Sequence, residues 1–290
     1  MKRKTKGEKV FALFNTIILL SVLLCTLYPC IYVLFASMSD PTEVFNRAIL
    51  LYPRGFNLGN YISVFGNSLI WSGYANTIFY AIAGTTASVL VTVIAAFCLS
   101  RRDLPGKNIM IMAMVFTMYF AGGMIPNYLV VRSLKLLDTR ASMILPSLIS
   151  TYNFIIVLTA FKGLPPSLEE AATIDGANEY TVLFKVLIPL IKPVISVIAL
   201  YYLVAIWNNF MSALLYLSDP KKYPLQLVLR EILYQGTMEQ ETSSQIDTAA
   251  MQQETIKYAV MVVSTVPVLC VYPFIQRYFV KGVMIGAVKG

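Results

Sequence analysis

The sequence predicts an all-α, polytopic membrane protein with six transmembrane helices, and three observations support this fold class. Of the 290 residues, 57% are hydrophobic and 13% are charged, whereas a soluble domain averages about 45–50% apolar and about 25% charged residues. The mean hydropathy is +0.68. The apolar residues form runs of the roughly 20 residues that a helix needs to cross a bilayer. These figures exclude a disordered chain, a collagen-like fibre and a small disulfide scaffold, and they argue against an ordinary soluble enzyme.

Six apolar runs are predicted to be helices rather than strands, because hydrocarbon offers no partner to an unpaired backbone group. In chain order they cover residues 10–38, 78–99, 109–131, 141–160, 186–216 and 258–274. The first run follows five basic residues among the first nine and is too long for the apolar core of a signal peptide, so we expect it to remain uncleaved. Gly122, Gly123 and Pro126 interrupt the third run, which we interpret as a kink or a point of close packing. The fifth run carries Pro189 and Pro193 near its start.

Basic residues indicate the orientation of the chain, because Lys and Arg favour cytoplasmic segments. The cluster in the first nine residues places the N-terminus inside, and six spans then place the C-terminus inside as well. The predicted organisation is a cytoplasmic segment 1–9, a transmembrane domain 10–277 and a cytoplasmic tail 278–290. Two long outer loops, 39–74 and 218–257, either dock an external partner or form a self-packed cap on the helices.

Missing features argue against several classes of function. No Asp, Glu, Lys or Arg lies in the middle of a predicted span, whereas proton relays and ion-coupled carriers usually carry one. The chain has no GxxxxGKS/T, GxSxG or HExxH motif and no His, and its four Cys lack CxxC spacing. The net charge of +8 comes from basic residues that flank apolar runs, which indicates contact with membrane lipid and not with nucleic acid. If the chain moves a solute uphill, the energy must come from another chain.

The loop between spans four and five is predicted to form two short helices on the inner membrane surface. Ser167 and Glu170 have the spacing of a capping box, so a helix should start there. Leu168, Ala171, Ala172 and Asp175 share one face of that helix at spacings of three and four residues. Gly176 can end it with a positive φ, and a second helix is predicted over 178–185.

The charge of this loop favours docking to a protein. A helix that lies on a membrane usually presents Lys and Arg. Glu169, Glu170, Asp175 and Glu179 outnumber Lys162 and Lys185 here, and anionic lipid would repel that balance. An amphipathic loop lying on the membrane is the alternative.

The same loop resembles the EAA loop of bacterial ABC importer permeases. Glu170-Ala171-Ala172 is followed after three residues by Gly176, and after nine more by Val186-Leu187-Ile188-Pro189. The family usually has Ile and Leu where Val186 and Ile188 stand. We call residues 163–189 the EAA-like loop.

Three further segments are similar to carbohydrate permeases of the MalG-like type. They are Trp207-Asn208-Asn209-Phe210, Tyr223-Pro224-Leu225-Gln226-Leu227, and a tail that runs through Gln276–Gly282 and Gly286–Gly290. The family often has an acidic residue where Asn209 stands, and that difference bears on the substrate. The resemblance implies the ABC type I importer permease fold and a place in a bacterial inner or plasma membrane.

The resemblance also implies a set of partners for this chain. They are a second homologous permease, two cytoplasmic ABC ATPase subunits that bind ATP and Mg, an external or lipoprotein solute-binding protein, membrane lipid and a sugar, specifically an oligosaccharide. The chain itself is then no enzyme and binds no cofactor or metal. Other solutes such as polyamine or phosphate remain alternatives, and an ion-coupled secondary carrier is a more distant one.

In that family the EAA loop docks into a cleft on the ATPase. The implied coupling residues here are Glu170, Ala171, Ala172, Asp175, Gly176 and Pro189. Glu170 would be the polar anchor and helix cap, Ala171 and Ala172 the tight contact, and Gly176 the turn.

A sugar would be held by aromatic faces and by side-chain amides or hydroxyls. Tyr152 and Asn153 fall in the middle of predicted span four, and Trp207, Asn208 and Asn209 fall along span five. These five residues are candidates for the substrate path. Hydrogen bonding between helices is the alternative role for such polar residues in a bundle.

Overall fold

A computed structural model describes residues 5–45, 51–101, 103–242, 255–270 and 273. Helices and loops make up this described part of the chain, which agrees with the predicted all-α class. The chain divides into two compact units, one of residues 1–68 with 229–266 and one of residues 69–228 with 267–290. The predicted tail segments Gln276–Gly282 and Gly286–Gly290 lie outside the described residues.

The α-helices follow one another with few long loops. They are α1 Lys6–Ser37, α2 Pro41–Phe45, α3 Gly59–Gly66, α4 Ser68–Ser100, α5 Lys107–Tyr119, α6 Met124–Ser133, α7 Thr151–Lys162, α8 Ser167–Ile174, α9 Glu179–Thr181, α10 Ile188–Leu190, α11 Lys192–Trp207, α12 Met211–Tyr216, α13 Leu225–Thr242 and α14 Thr255–Cys270. Three 3₁₀ turns, Arg140–Met143, Leu145–Ser147 and Pro220–Lys222, and one π-helical segment, Val182–Leu187, complete the elements.

The first unit is built on the long apolar helix α1. Thr5 caps it in a reciprocal capping box with Glu8, and none of the most apolar window of the helix is buried within the protein. That exposure suits a helix surrounded by lipid. Near the end of α1, the Tyr32 ring meets that of Tyr258 on α14 edge to face, at 5.7 Å between centroids.

The second unit is organised around α4. At 33 residues this helix is roughly 50 Å long. Its buried face carries small and polar residues, among them Gly73 and Gly84. A Cβ on Gly73 would lie 3.1 Å from Leu225 Cα, so a side chain at this position would push that backbone away. The C-terminal half of α4 joins a core with α7, the π-helical segment and α11, centred on Phe154, Val157 and Ile198.

Two stretches, Gly7–Ser37 and Ser68–Ser100, are single helices long and apolar enough to cross a membrane. Predicted spans three, four and five are each a pair of helical segments that meet at 119°, 51° and 85° respectively. Each pair taken together is long and apolar enough for one broken span, so these three spans stay predictions. The sixth is represented by the shorter helix α14, and the end of that predicted span, 271–274, falls largely outside the described residues. A count of six spans stays a prediction.

The third predicted span reverses direction at glycine. Gly123, between α5 and α6, has φ 85° and ψ −178°, a conformation that is essentially restricted to glycine. The interruption lies where the sequence suggested a kink. The 119° angle makes it a turn between two helices, so 109–131 is either a broken span or a re-entrant loop.

The fourth and fifth predicted spans break at prolines and caps. In the fourth, two 3₁₀ turns precede α7, which begins only after Ser150, whose side chain accepts a hydrogen bond from Asn153 N at 3.4 Å. In the fifth, residues 186–190 continue the second helix of the EAA-like loop. The chain then bends by 85° at Ile191. Pro193 fits directly after the bend, because the first turn of a helix does not need its missing N–H.

The segment around Tyr223-Leu227 packs against its own chain. Asn76 Nδ2 donates hydrogen bonds to the carbonyls of Lys221 and Tyr223 at 2.7 and 3.1 Å. Leu225 N donates to Thr77 Oγ1 at 2.8 Å. For this part of loop 218–257, a self-packed cap describes the structure better than a free docking loop.

Candidate functional site

The first helix of the EAA-like loop, α8, starts where the sequence predicts, but without a capping box. Pro166 is the N-cap, with φ −58° and ψ −29°, and no side chain caps it. Its carbonyl accepts hydrogen bonds from Glu169 N and Glu170 N at 3.0 and 3.1 Å. Because Pro166 is itself helical, Ser167 lies inside the first turn. The predicted capping box is wrong for that reason, and with it the role of Glu170 as helix cap.

The end of α8 follows the prediction closely. Gly176 has φ 79°, and its N–H donates to Thr173 O at 3.0 Å. Ala177 N donates to Ala172 O at 2.9 Å. This pair of hydrogen bonds is the Schellman motif, in which a left-handed residue closes the helix. The turn at Gly176 therefore fixes the direction of the chain as it leaves α8.

The second helix begins at Asn178, whose Oδ1 accepts a hydrogen bond from Thr181 N at 2.9 Å. It continues from α9 through the π-helical segment and α10 to Leu190, which is longer than the predicted 178–185. Val182, Leu183 and Leu187 are buried in the core with α4 and α7. The second helix of the EAA-like loop is thus anchored in the core of the second unit, and α8 is the more exposed helix of the loop.

The two alanines of the loop have different surroundings. Ala172 is half-buried and packs against the core of its own chain. Ala171 is exposed, as are Glu170, Asp175, Gly176 and Pro189.

Two large apolar side chains of the EAA-like loop were missed by the sequence reasoning. Ile174 is 86% exposed and Tyr180 is 77% exposed. In the sequence, they could have been recognised as large apolar residues within an otherwise acidic and polar stretch. The loop therefore presents a mixed apolar and acidic surface.

Arg101, directly after α4, is a second residue that sequence reasoning missed. Its Nη1 lies 2.5 Å from Glu169 Oε2, and its Nη2 pairs with the Glu179 carboxylate. Its guanidinium carbon lies 4.6 Å from the centroid of the Phe97 ring. One side chain thus ties the end of α4 to both helices of the EAA-like loop. A groove of about 990 Å³ beside it is lined in part by Lys107, Glu170 and Ile174.

A cavity of about 450 Å³ collects three of the five predicted substrate-path residues, namely Tyr152, Asn153 and Asn209. Tyr152 and Asn153 stand in the first turn of α7 and not in the middle of a span, because the preceding residues are 3₁₀ turns. The Tyr152 ring lies 6.2 Å from that of Tyr201 on α11, tilted by 38°. Tyr202 also lines the cavity, and its hydroxyl is engaged by Thr92 Oγ1 at 2.8 Å.

Trp207 and Asn208 do not line this cavity. Trp207 ends α11 and is only 7% exposed. Asn208 Nδ2 donates back to Val204 O at 2.9 Å. Asn209 is held by Ser212, whose N–H donates to Asn209 Oδ1 at 3.1 Å. The Asn208 hydrogen bond stays within its own helix, so it is not the bond between helices that was the alternative role for these polar residues.

At the opposite end of α4 from Arg101, an ion-pair cluster joins two loops. The Asp138 carboxylate accepts hydrogen bonds from Asp219 N and Ser218 N, both at 3.1 Å, and from Lys222 Nζ at 3.1 Å. The two backbone hydrogen bonds, and then that from Lys222, hold the pKa of Asp138 below its usual value of 3.8. The hydrogen bond to Asp138 raises the pKa of Lys222 above 10.5.

Within the described ranges, no group of three or more His, Cys, Asp or Glu residues could hold a metal ion. Cys25, Cys30, Cys98 and Cys270 are free thiols at exposed positions.

Comparison with known proteins gives one family. Residues 106–285 match the family described as binding-protein-dependent transport system inner membrane component. The chain is similar to the polygalacturonan/rhamnogalacturonan transport system permease protein YtcP of Bacillus subtilis (strain 168), with 43% identity over 94% of this chain and 96% of the relative. It is 40% identical to protein LplC of the same organism over 99% of this chain and 97% of the relative.

A solved structure supports the same assignment. The fold resembles a chain in the crystal structure of a bacterial ABC transporter involved in the import of the acidic polysaccharide alginate, with a TM-score of 0.84 and 32% identity. The match covers 96% of this chain and 100% of that one. The resemblance to ABC importer permeases and the predicted permease fold are confirmed. With the family model spanning more than half of its length and relatives matching it almost from end to end, the chain belongs to the family of binding-protein-dependent transport system inner membrane components.

Proposed function

We propose that this chain is one permease of an ATP-driven importer for oligosaccharides. It forms half of the translocation path beside a second, related permease. Two cytoplasmic ATPase subunits bind ATP and Mg and supply the energy, and an external solute-binding protein delivers the sugar. The observation that carries the proposal is the EAA-like loop, an exposed helix held to the core by Arg101 and closed by the turn at Gly176.

The surface of α8 supports docking to the ATPase. Ala171 is small and exposed, and Ile174 beside it exposes a large apolar side chain. Glu170 and Asp175 border them with negative charge. A surface of apolar anchors with a charged rim is typical of protein interfaces. Closure of the ATPases on ATP would move this helix, and hydrolysis would reset it. Gly176 and Pro189 would maintain the conformation of the EAA-like loop.

The proposed cargo rests on relatives and on the cavity together. The name of YtcP specifies polygalacturonan and rhamnogalacturonan, and the solved relative imports alginate. The cavity offers the Tyr152 ring, the Asn153 amide and Asn209, which are the groups that bind sugars. We therefore favour a saccharide over a polyamine or phosphate, and we assign Trp207 and Asn208 to the wall behind the path.

The proposed topology places the EAA-like loop and both termini in the cytoplasm. The cytoplasmic segment is 1–9, the permease domain is 10–277 and the cytoplasmic tail is 278–290. The opposite end of α4, with the Asp138 cluster, then faces the solute-binding protein. The basic start of the chain supports this orientation.

Purification of the tagged chain from its own membrane in mild detergent tests the assembly. Mass spectrometry is expected to find one copy of this chain with one related permease and two ATPases. The same complex in proteoliposomes, with its binding protein, is expected to take up oligosaccharides only when ATP is present. A chain that purifies alone, under conditions that keep a known importer intact, contradicts the proposal. Two copies of this chain with two ATPases would contradict the heterodimer.

A further inference from the structure

The side-chain amide of Asn153 opens on the cavity and has no hydrogen-bond partner among the described residues. Asn153 is 4% exposed, and its backbone N–H is satisfied by Ser150 Oγ. Its side-chain amide has no hydrogen bond to any residue that the structure describes. Polar side chains in protein interiors are usually hydrogen-bonded, to protein or to water. Because Asn153 lines the 450 Å³ cavity, its amide is available to a ligand that enters the cavity and displaces water.

The rest of the cavity wall is neutral and combines tyrosines with small polar and aliphatic residues. Tyr152 is 54% exposed, and its ring and that of Tyr201 form an inclined pair. The hydroxyl of Tyr202 is already engaged, because it contacts Thr92 Oγ1 and accepts from Ser150 N at 2.9 Å. These two contacts hold the Tyr202 side chain in place as part of the cavity wall. None of the described residues lining the cavity is Asp, Glu, Lys or Arg.

A neutral wall selects the part of a sugar that can enter. A carboxylate that enters this cavity would give up part of its water and meet no cation, which is unfavourable. The faces of a sugar ring can instead rest on tyrosine, and ring hydroxyls can pair with the Asn153 amide. The volume of about 450 Å³ lies within the range of small-molecule pockets, about 300–1,000 Å³.

We propose that this cavity is a subsite for the uncharged face of one saccharide ring, with the Asn153 amide bonded to a ring hydroxyl and acidic substituents directed out of the cavity. The proposal rests on the proposed import of sugars. The subsite proposal adds that this chain recognises the hydroxyls and the ring faces of a sugar even when that sugar is acidic. The substrates named for its relatives are acidic sugars.

Uptake kinetics of the complete importer in proteoliposomes test the subsite. The probes are trigalacturonic acid and its trimethyl ester, which have the same rings with and without negative charge. The Asn153→Leu variant keeps a side chain of similar size and removes the amide. It is expected to raise KM about fivefold, and to raise it equally for both probes. Tyr152→Leu, which removes a ring, is expected to act in the same direction on both.

Matched controls are Asn127→Ala and Tyr28→Ala, which remove exposed side chains of the same types that do not line the cavity. Both should leave KM unchanged. If Asn153→Leu leaves KM unchanged, or raises it for the acid alone, the subsite assignment is overturned. If the wild-type importer takes up neither probe or any other oligosaccharide, the proposed cargo is contradicted instead.

Thermal unfolding without sugar provides a second, independent readout. Because the Asn153 amide is unpaired in the described structure, Asn153→Leu is expected to keep or raise the Tm of the complex. A lower Tm would show that the amide is bonded within the protein, and would overturn the assignment whatever the transport result.

Discussion

Arg101 Nη1 lies 2.5 Å from Glu169 Oε2, which joins residues 68 positions apart in the sequence. The same guanidinium pairs with Glu179. A force applied to either helix of the EAA-like loop therefore reaches α4 directly. Glu170, the acidic residue next to Glu169, remains exposed for a partner chain.

Removing Arg101 is expected to uncouple ATP hydrolysis from uptake. In Arg101→Ala, the ratio of sugar transported to ATP hydrolysed in proteoliposomes should fall severalfold. The Tm should change little, because partly exposed ion pairs contribute only about 0–1 kcal/mol to stability.

A charge exchange separates this role from a general structural one. The double variant Arg101→Glu/Glu169→Arg should recover part of the transport ratio that each single variant loses. Arg132→Ala, which removes an exposed arginine elsewhere on the second unit, serves as the control. Full coupling in Arg101→Ala would contradict the proposed linkage.

The two alanines of α8 should respond differently to a bulky side chain. Ala172→Trp must fit against the core of its own chain, and overpacking of this kind costs about 1–3 kcal/mol. Ala171→Trp adds bulk to an exposed position. It should leave the Tm of the complex unchanged but weaken copurification of the ATPase. Equal losses of Tm in the two variants would argue against these placements.

Gly176→Ala is expected to destabilise the complex by about 1–2 kcal/mol, because a left-handed residue other than glycine carries that cost. A Cβ at Gly176 has nothing within 4 Å, so the cost is purely conformational. Gly66→Ala is the matched control, since a Cβ there also has nothing within 4 Å and the φ of Gly66 is not positive. Thermal unfolding measures both, and equal Tm values would contradict the assigned conformation.

Replacing Asp138 should change the Tm of the complex by an amount that depends on pH. The pKa of Asp138 is lowered in the folded protein, so its ionised form contributes stability above the usual pKa of 3.8. That contribution is lost as the pH falls through the lowered value. Asp138→Asn should therefore lower the Tm at pH 7, and the gap to wild type should narrow towards pH 3. A gap that stays constant with pH would show that charge is not the cause.

Local signals in the sequence predict local structure well. Gly176 ends α8, and Asn178 starts the next helix, because each acts within three or four residues of itself. The number of apolar residues in a run does not determine its direction. The glycines located the break at Gly123 but not its 119° angle, and the bend at Ile191 was missed.

The arrangement of the candidate site depended on contacts distant in sequence. Asn153 and Asn209 were both predicted, but their shared cavity depends on the packing of α7 against α11. In the sequence, Arg101 is only one of several basic residues that flank apolar runs, because its partner Glu169 lies 68 positions away on a different helix.

The uninterrupted course of α4 has a mechanical consequence. Residues 68–100 form one helix without a break, and the sequence of this helix contains no proline, which is a common cause of sharp kinks. Arg101 holds one end of this rod, while Asn76 and Tyr80 near the other end bond to the carbonyls of residues 221–223. A tilt imposed at one end reappears at the other, roughly 50 Å away, without a joint that absorbs it. In the proposed importer, nucleotide state and solute access would then correspond to two positions of this one stiff helix.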